Sequence, residues 1–187
     1  MELYEYLAIG LTLFYTASLP HLAGGLTTVI KKDKVYSVHV LSIVTTFLYT
    51  LIGFWSTWAY HTVEWTLWKF LFASLEPAFY YFIAAILIPN DALAVESWRD
   101  YFYENKNKFY TIMLLLLINI QVSGYFLLGL DPLSTSQIPA LFAIIPLTIA
   151  LRSKNHMVHM VIMILYLIQA VNMMSTIAAQ PGWLLKP

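Results

Sequence analysis

The sequence predicts an all-α integral membrane bundle of six transmembrane helices, with both termini on the outer, non-cytoplasmic side. Three observations lead there. Of 187 residues, 60% are hydrophobic and only 11% charged, with mean hydropathy +0.70. A soluble domain carries roughly a quarter of its residues charged, so this chain cannot cover itself. The apolar residues also fall in blocks matching the about 20 residues that a bilayer-crossing helix needs. Finally, the cations gather in alternate connections, which fixes an orientation.

The first span covers 4–28. It follows an acidic Met1-Glu2-Leu3-Tyr4-Glu5 start where a secretory signal would carry Lys or Arg, so the block is expected to stay as a helix. Within it Ser18, His21, Gly25 and Thr28 share one face, and Pro20 should loosen the helix beside His21. The second span, 36–60, has the clearest pattern. His39, Ser42, Thr46, Tyr49, Gly53, Ser56 and Tyr60 follow at alternating steps of three and four and form one stripe. Lipid offers no hydrogen bonds, so a polar and small stripe faces other helices or a cavity.

The third span, 65–89, carries Glu76 near its centre, followed by Pro77. A central carboxylate costs about 2.5–3.5 kcal/mol on insertion scales, so it should face the interior and find a partner there. Lys69, two turns away, should snorkel toward the outer surface instead of pairing with it. Segment 90–107 is mixed in charge and rich in aromatics. It reads as an amphipathic helix on the cytoplasmic surface, leading into the fourth span at 108–130. That span brings Asn119 and Gln121 to the depth of Glu76. The fifth, 137–152, is the shortest and starts at Gln137-Ile138-Pro139, so it is the span most open to being partial or tilted. The sixth, 156–178, opens on His156 and His159 and continues with Tyr166, Gln169 and Asn172. All of 1–187 reads as a single transmembrane domain.

Lys31, Lys32, Lys34, Arg99, Lys106, Lys108, Arg152 and Lys154 fall on one side, which puts eight of ten cations there and leaves Lys69 and Lys186 opposite. The positive-inside rule makes the first side cytoplasmic. Charge balance at ten acids and ten bases gives no field that would draw nucleic acid. With no cysteine, disulfides, thiolate metal sites and cysteine nucleophiles are excluded.

The leading functional expectation is binding or translocation of a small solute, ion or proton through a polar intramembrane cavity centred on Glu76. Its lining would include His39, Ser42, Thr46, Tyr49, Asn119, Gln121, Tyr166, Gln169 and Asn172. Two alternatives stand beside it. His21, His39, His156 and His159 lie at one depth and could ligate a metal or haem in an enzyme or electron carrier, although no second-shell carboxylates are obvious. The chain could instead be an accessory subunit of a membrane complex, or a homo-oligomer, with the bilayer as its constant partner.

Four stretches carry a resemblance: His21-Leu22-Ala23-Gly24-Gly25-Leu26, Val38-His39-Val40-Leu41, the run from Tyr80 to Asp91, and Arg99-Asp100-Tyr101-Phe102-Tyr103 leading into Phe109. Their order over roughly the first two-thirds of the chain resembles a family of small bacterial polytopic inner-membrane proteins with no assigned activity. The resemblance implies a multi-pass protein of the bacterial inner membrane.

Overall fold

The computed structural model describes residues 3–31, 35–134, 137–177 and Leu184, and every regular element among them is helical. α1 is Leu3–Ile30 and α2 is Ser37–Ser56, the latter extended by a 3-10 turn at Thr57–Thr62. α3 (Leu67–Ala73) and α4 (Leu75–Leu87) make one interrupted rod. α5 is Trp98–Leu128, α6 is Ile138–Arg152, and α7 is His156–Asn172, continued by a wider turn at Met173–Ile177. Five of these six rods are long and apolar enough to cross a membrane. The exception is α6, whose 15 residues rise only about 22 Å against a hydrocarbon core of about 30 Å.

Large apolar side chains cover the outside of the bundle, among them Leu13, Ile118, Phe126, Phe142, Ile145 and Ile168. Water would penalise such a surface and lipid does not. α2 is the centre of the packing and touches α1, α4 and α7, while α4 and α6 flank α5. The six-rod layout therefore follows the blocks read from hydropathy. The end of the sixth expected span, 178, lies outside the described residues, as do Lys32, Lys34 and Lys186.

Two proline effects differ from each other. Pro20 leaves α1 unbroken, on an exposed part of its surface. Pro77 has a larger consequence. It has no N–H to give to the Ala73 carbonyl, and the rod breaks there, with α3 closing at Ser74 and α4 starting at Leu75. This puts Glu76 in the first turn of α4, where free backbone N–H groups favour a carboxylate.

Segment 90–107 departs from expectation. Residues 90–97 run through turns, and the helix that begins at Trp98 continues without a break for 31 residues. Ser97 caps it, accepting from the Asp100 N–H at 3.3 Å. Trp98, Phe102, Lys106 and Phe109 then turn inward at helical spacing and are all buried. The aromatics read as a surface belt thus form the inner face of α5's first turns. Lys106 reaches the Leu151 carbonyl at 3.0 Å, placing a cation at the C-terminal end of α6, where the helix dipole favours it.

The α1–α4 contact depends on Gly25. A Cβ there would sit 2.6 Å from Cγ2 of Ile88 and closer still to its Cγ1. Ile88 is buried and branched at Cβ, so it cannot swing aside. Alanine in a helix gains up to about 1 kcal/mol over glycine, but overpacking costs about 1–3 kcal/mol. Gly25→Ala is therefore expected to lower the unfolding temperature in detergent, and in an Ile88→Ala background, compared with that single variant, the same substitution should cost little. Equal stability of Gly25→Ala and wild type would show that the two helices are free to part.

Candidate functional site

A cavity of about 120 Å³ lies between α2, α4, α5, α6 and α7. Its wall is mostly apolar, with Ile83, Met113, Leu116, Leu117, Ile120 and Ala143 contributing. Its polar groups include Thr46, Gln169, Glu76, which is 8% exposed, and the buried pair Ser123 and Gln137. Tyr49, Tyr60, Tyr80 and Tyr166 line the space between helices.

Glu76 is held by hydroxyls. Tyr15 of α1 donates to Oε1 at 3.4 Å, and Tyr60 of the 3-10 turn donates to Oε2 at 3.3 Å. Both bonds are long beside the 2.5–2.7 Å of charge-assisted O–H···O⁻ bonds. The ring of Tyr80 stands 6.0 Å from that of Tyr15. Gly53 of α2 makes this arrangement possible, because a Cβ there would lie 2.9 Å from the Tyr80 ring and 3.0 Å from Glu76 Oε1. Lys69 does not take part. Its ammonium donates to the Glu64 carbonyl at 2.9 Å, in line with the expected absence of a direct pair.

Of the residues expected from the sequence to line a cavity around Glu76, Glu76 itself, Thr46, Tyr49, Tyr166 and Gln169 line this one together, with Gly53, Ser56 and Tyr60 of the α2 stripe beside them. Tyr49 donates to the Tyr166 carbonyl at 3.3 Å, the Tyr166 hydroxyl donates to Ala143 O, and the Gln169 amide reaches Pro139 O at 3.4 Å. The others are placed elsewhere. Ser42 bonds back to the Val38 carbonyl of its own helix at 2.8 Å and is fully buried. Asn119 is buried beside the cavity without reaching its wall, and Gln121 gives its amide to Gln137 O at 2.6 Å. Asn172 is on the exposed side of α7. The polar stripe on α2 does face inward along its length, but only its C-terminal half, from Thr46 to Tyr60, borders the cavity.

The four histidines do not meet. His21 Nε2 is 2.9 Å from the Ile88 carbonyl. His39 stacks on Trp98, with centroids 4.8 Å apart, and neither of its ring nitrogens has a hydrogen bond of standard geometry beside the Leu87 backbone. His156 Nδ1 meets the Tyr36 hydroxyl at 3.0 Å, and that hydroxyl also donates to Tyr103 at 3.4 Å. Burial, helped by the Tyr103 hydroxyl, holds the Tyr36 phenol well above its usual range, so it serves as a neutral hydroxyl. His159 Nδ1 meets the Tyr110 hydroxyl at 3.0 Å. Phe102 stands between His39 and His159. Among the described residues no three His, Asp or Glu side chains are placed to hold a metal ion.

Sequence reading missed Tyr15, Tyr80, Ser123 and Gln137. Tyr15 had a signal, since it lies three residues before Ser18 on the stripe that Ser18 and Gly25 mark. Gln137 had a weaker one. It precedes α6, and its side chain sits over Gly124 of α5, where a Cβ would lie 2.6 Å from its amide nitrogen. No family model, curated protein or solved structure matches this chain.

Proposed function

We propose that this protein binds a small solute inside the membrane, in the cavity between α2, α4, α5, α6 and α7, with Glu76 as its polar anchor. One observation carries the reading: a buried carboxylate forms part of the cavity wall and is held by neutral hydroxyls, so its charge or proton is free to answer a ligand. The apolar remainder of the wall favours a solute with an apolar body over the passage of hydrated ions. Translocation follows if the cavity opens alternately to the two sides. Among the described residues the four histidines do not come together as a group that could hold a metal ion, so the metal reading has less support than the carboxylate-lined cavity.

The test is ligand-dependent stability in lipid nanodiscs, followed by uptake in proteoliposomes. Solutes that raise the melting temperature of the wild-type protein are expected to lose that effect in Glu76→Gln. Unchanged stabilisation and unchanged uptake in the variant would remove Glu76 from the site.

We also place the chain in a bacterial inner membrane with both termini outside. Tyr36, Tyr103 and His156 meet at one end of the bundle, which groups Lys31, Arg99, Lys108, Arg152 and Lys154 there. Tyr4 bonds to the Thr57 carbonyl at the opposite end. The chain has no cysteine of its own, so Lys154→Cys provides a single label. It is expected to react with an impermeant thiol reagent in inside-out vesicles and to resist it in intact cells. Labelling in intact cells would reverse the orientation.

A further inference from the structure

We propose that the Glu76 cavity takes a protonated amine carried on an apolar body of at most one ring, with a second polar group to meet Ser123 and Gln137. The proposal rests on the solute-binding reading above and names the chemistry of the solute.

An ionised carboxylate offers about four acceptor positions, and at Glu76 only Tyr15 and Tyr60 are seen to use them. Neither brings a charge. Lys69 and Lys106 are committed elsewhere: Lys69 to the Glu64 carbonyl, and Lys106 to Leu151 O and Asn107 Oδ1. A buried carboxylate in an apolar wall is costly unless a cation comes to it, so the missing counter-charge is one a ligand can supply. Four tyrosine rings line the same space, and aromatic rings attract ammonium groups more strongly once water is excluded.

Ser123 and Gln137 argue for a second group. Ser123 Oγ and Gln137 Oε1 belong to side chains only 3% exposed, both lining the cavity, and neither atom has a hydrogen-bond partner. An unsatisfied buried polar atom costs about 1–3 kcal/mol, so each is a place where a ligand hydroxyl or amine would be rewarded. Size narrows the body. An engineered protein cavity of about 150 Å³ takes benzene; this one is smaller, about 120 Å³, and only partly enclosed, so it admits at most one ring, with substituents reaching beyond it.

The experiment compares near-isosteric probes by calorimetry on the full chain in nanodiscs, with empty nanodiscs subtracting partition into lipid. Benzylamine, charged at neutral pH, is expected to bind about tenfold more tightly than benzyl alcohol, and ethylbenzene more weakly than either. Glu76→Gln, which keeps the shape and removes the charge, should bring benzylamine down to the level of the alcohol. Para-(aminomethyl)benzyl alcohol should gain several-fold over benzylamine, and Ser123→Ala should remove that gain. Benzyl alcohol binding as tightly as benzylamine, with Glu76→Gln weakening both, would overturn the amine assignment and leave the cavity standing as a site for neutral solutes. No binding by any of the four probes would overturn the size and class assignment together, and if no solute stabilises the wild type the cavity reading falls as well. The wild-type series decides between these outcomes even if a variant fails to accumulate.

Discussion

Trp98→Ala is expected to cost about 3–5 kcal/mol of stability, the range for removing a large buried aromatic. Trp98 is 1% exposed at the start of α5 and is among the largest fully buried side chains in the bundle. Its indole lies nearly parallel to the His39 ring and meets Tyr101 edge-on at 5.6 Å. Truncation would open a void against α2 and bring water to a buried imidazole. Trp98→Phe keeps a ring on His39 and should lose less than half as much. The measurement is unfolding of the purified protein by heat or SDS titration, followed by tryptophan-independent circular dichroism. Had this segment lain on the membrane surface as a separate amphipathic helix, the alanine variant would stay within about 0.5 kcal/mol of wild type. The experiment therefore also decides how α5 begins.

That segment shows what patterning could and could not reveal. Aromatics mixed with charges suit both a headgroup belt and the inner face of a helix end, and local composition does not separate the two. Spacing does: Trp98, Phe102, Lys106, Phe109 and Met113 advance by three or four residues straight into the fourth span. The stripe on α2 was legible because small and polar residues stand out against the apolar face opposite. α1 was harder, since its packed face is mostly apolar, broken by Ser18 and Gly25, while small and polar residues such as Thr16 and Gly24 also sit on its exposed face. Tyr15 continues the stripe of Ser18 and Gly25, but as one aromatic in a chain that is 16% aromatic it did not stand out.

Glu76 and Pro77 illustrate the opposite case, where two adjacent residues specified both a site and its geometry. The charge required an interior position, and the imide required a break in the rod one turn earlier. What they left open was the identity of the partners. Tyr15 is 61 residues away, so nothing local could announce that contact. Nor could sequence show that the four histidines, although at similar depth, are separated by the rings of Phe102 and Trp98.

Charge reversal at the same residue gives the second large effect. Glu76→Lys is expected to prevent accumulation of folded protein, while Glu76→Gln should fold and stay within about 1–2 kcal/mol of wild type. Tyrosine hydroxyls both donate and accept, so Tyr15 and Tyr60 can turn to satisfy a neutral amide in place of the carboxyl. A lysine has only donors and would bring a longer side chain against the Tyr80 ring and the backbone of Gly53. The effective penalty for an unpaired buried ion is several kcal/mol, a large share of the 5–15 kcal/mol that typically separates folded from unfolded chains. Fluorescence-detected size exclusion on membranes expressing the variants reads the outcome directly: a monodisperse peak for Gln and loss or aggregation for Lys. A well-folded Glu76→Lys protein would mean that this position reaches water, and with it the case for a buried, carboxylate-anchored cavity would go. If Gln folds while losing its ligand response, stability and binding are separated at one residue, which is what an anchor for a solute, unlike a strut of the bundle, should show.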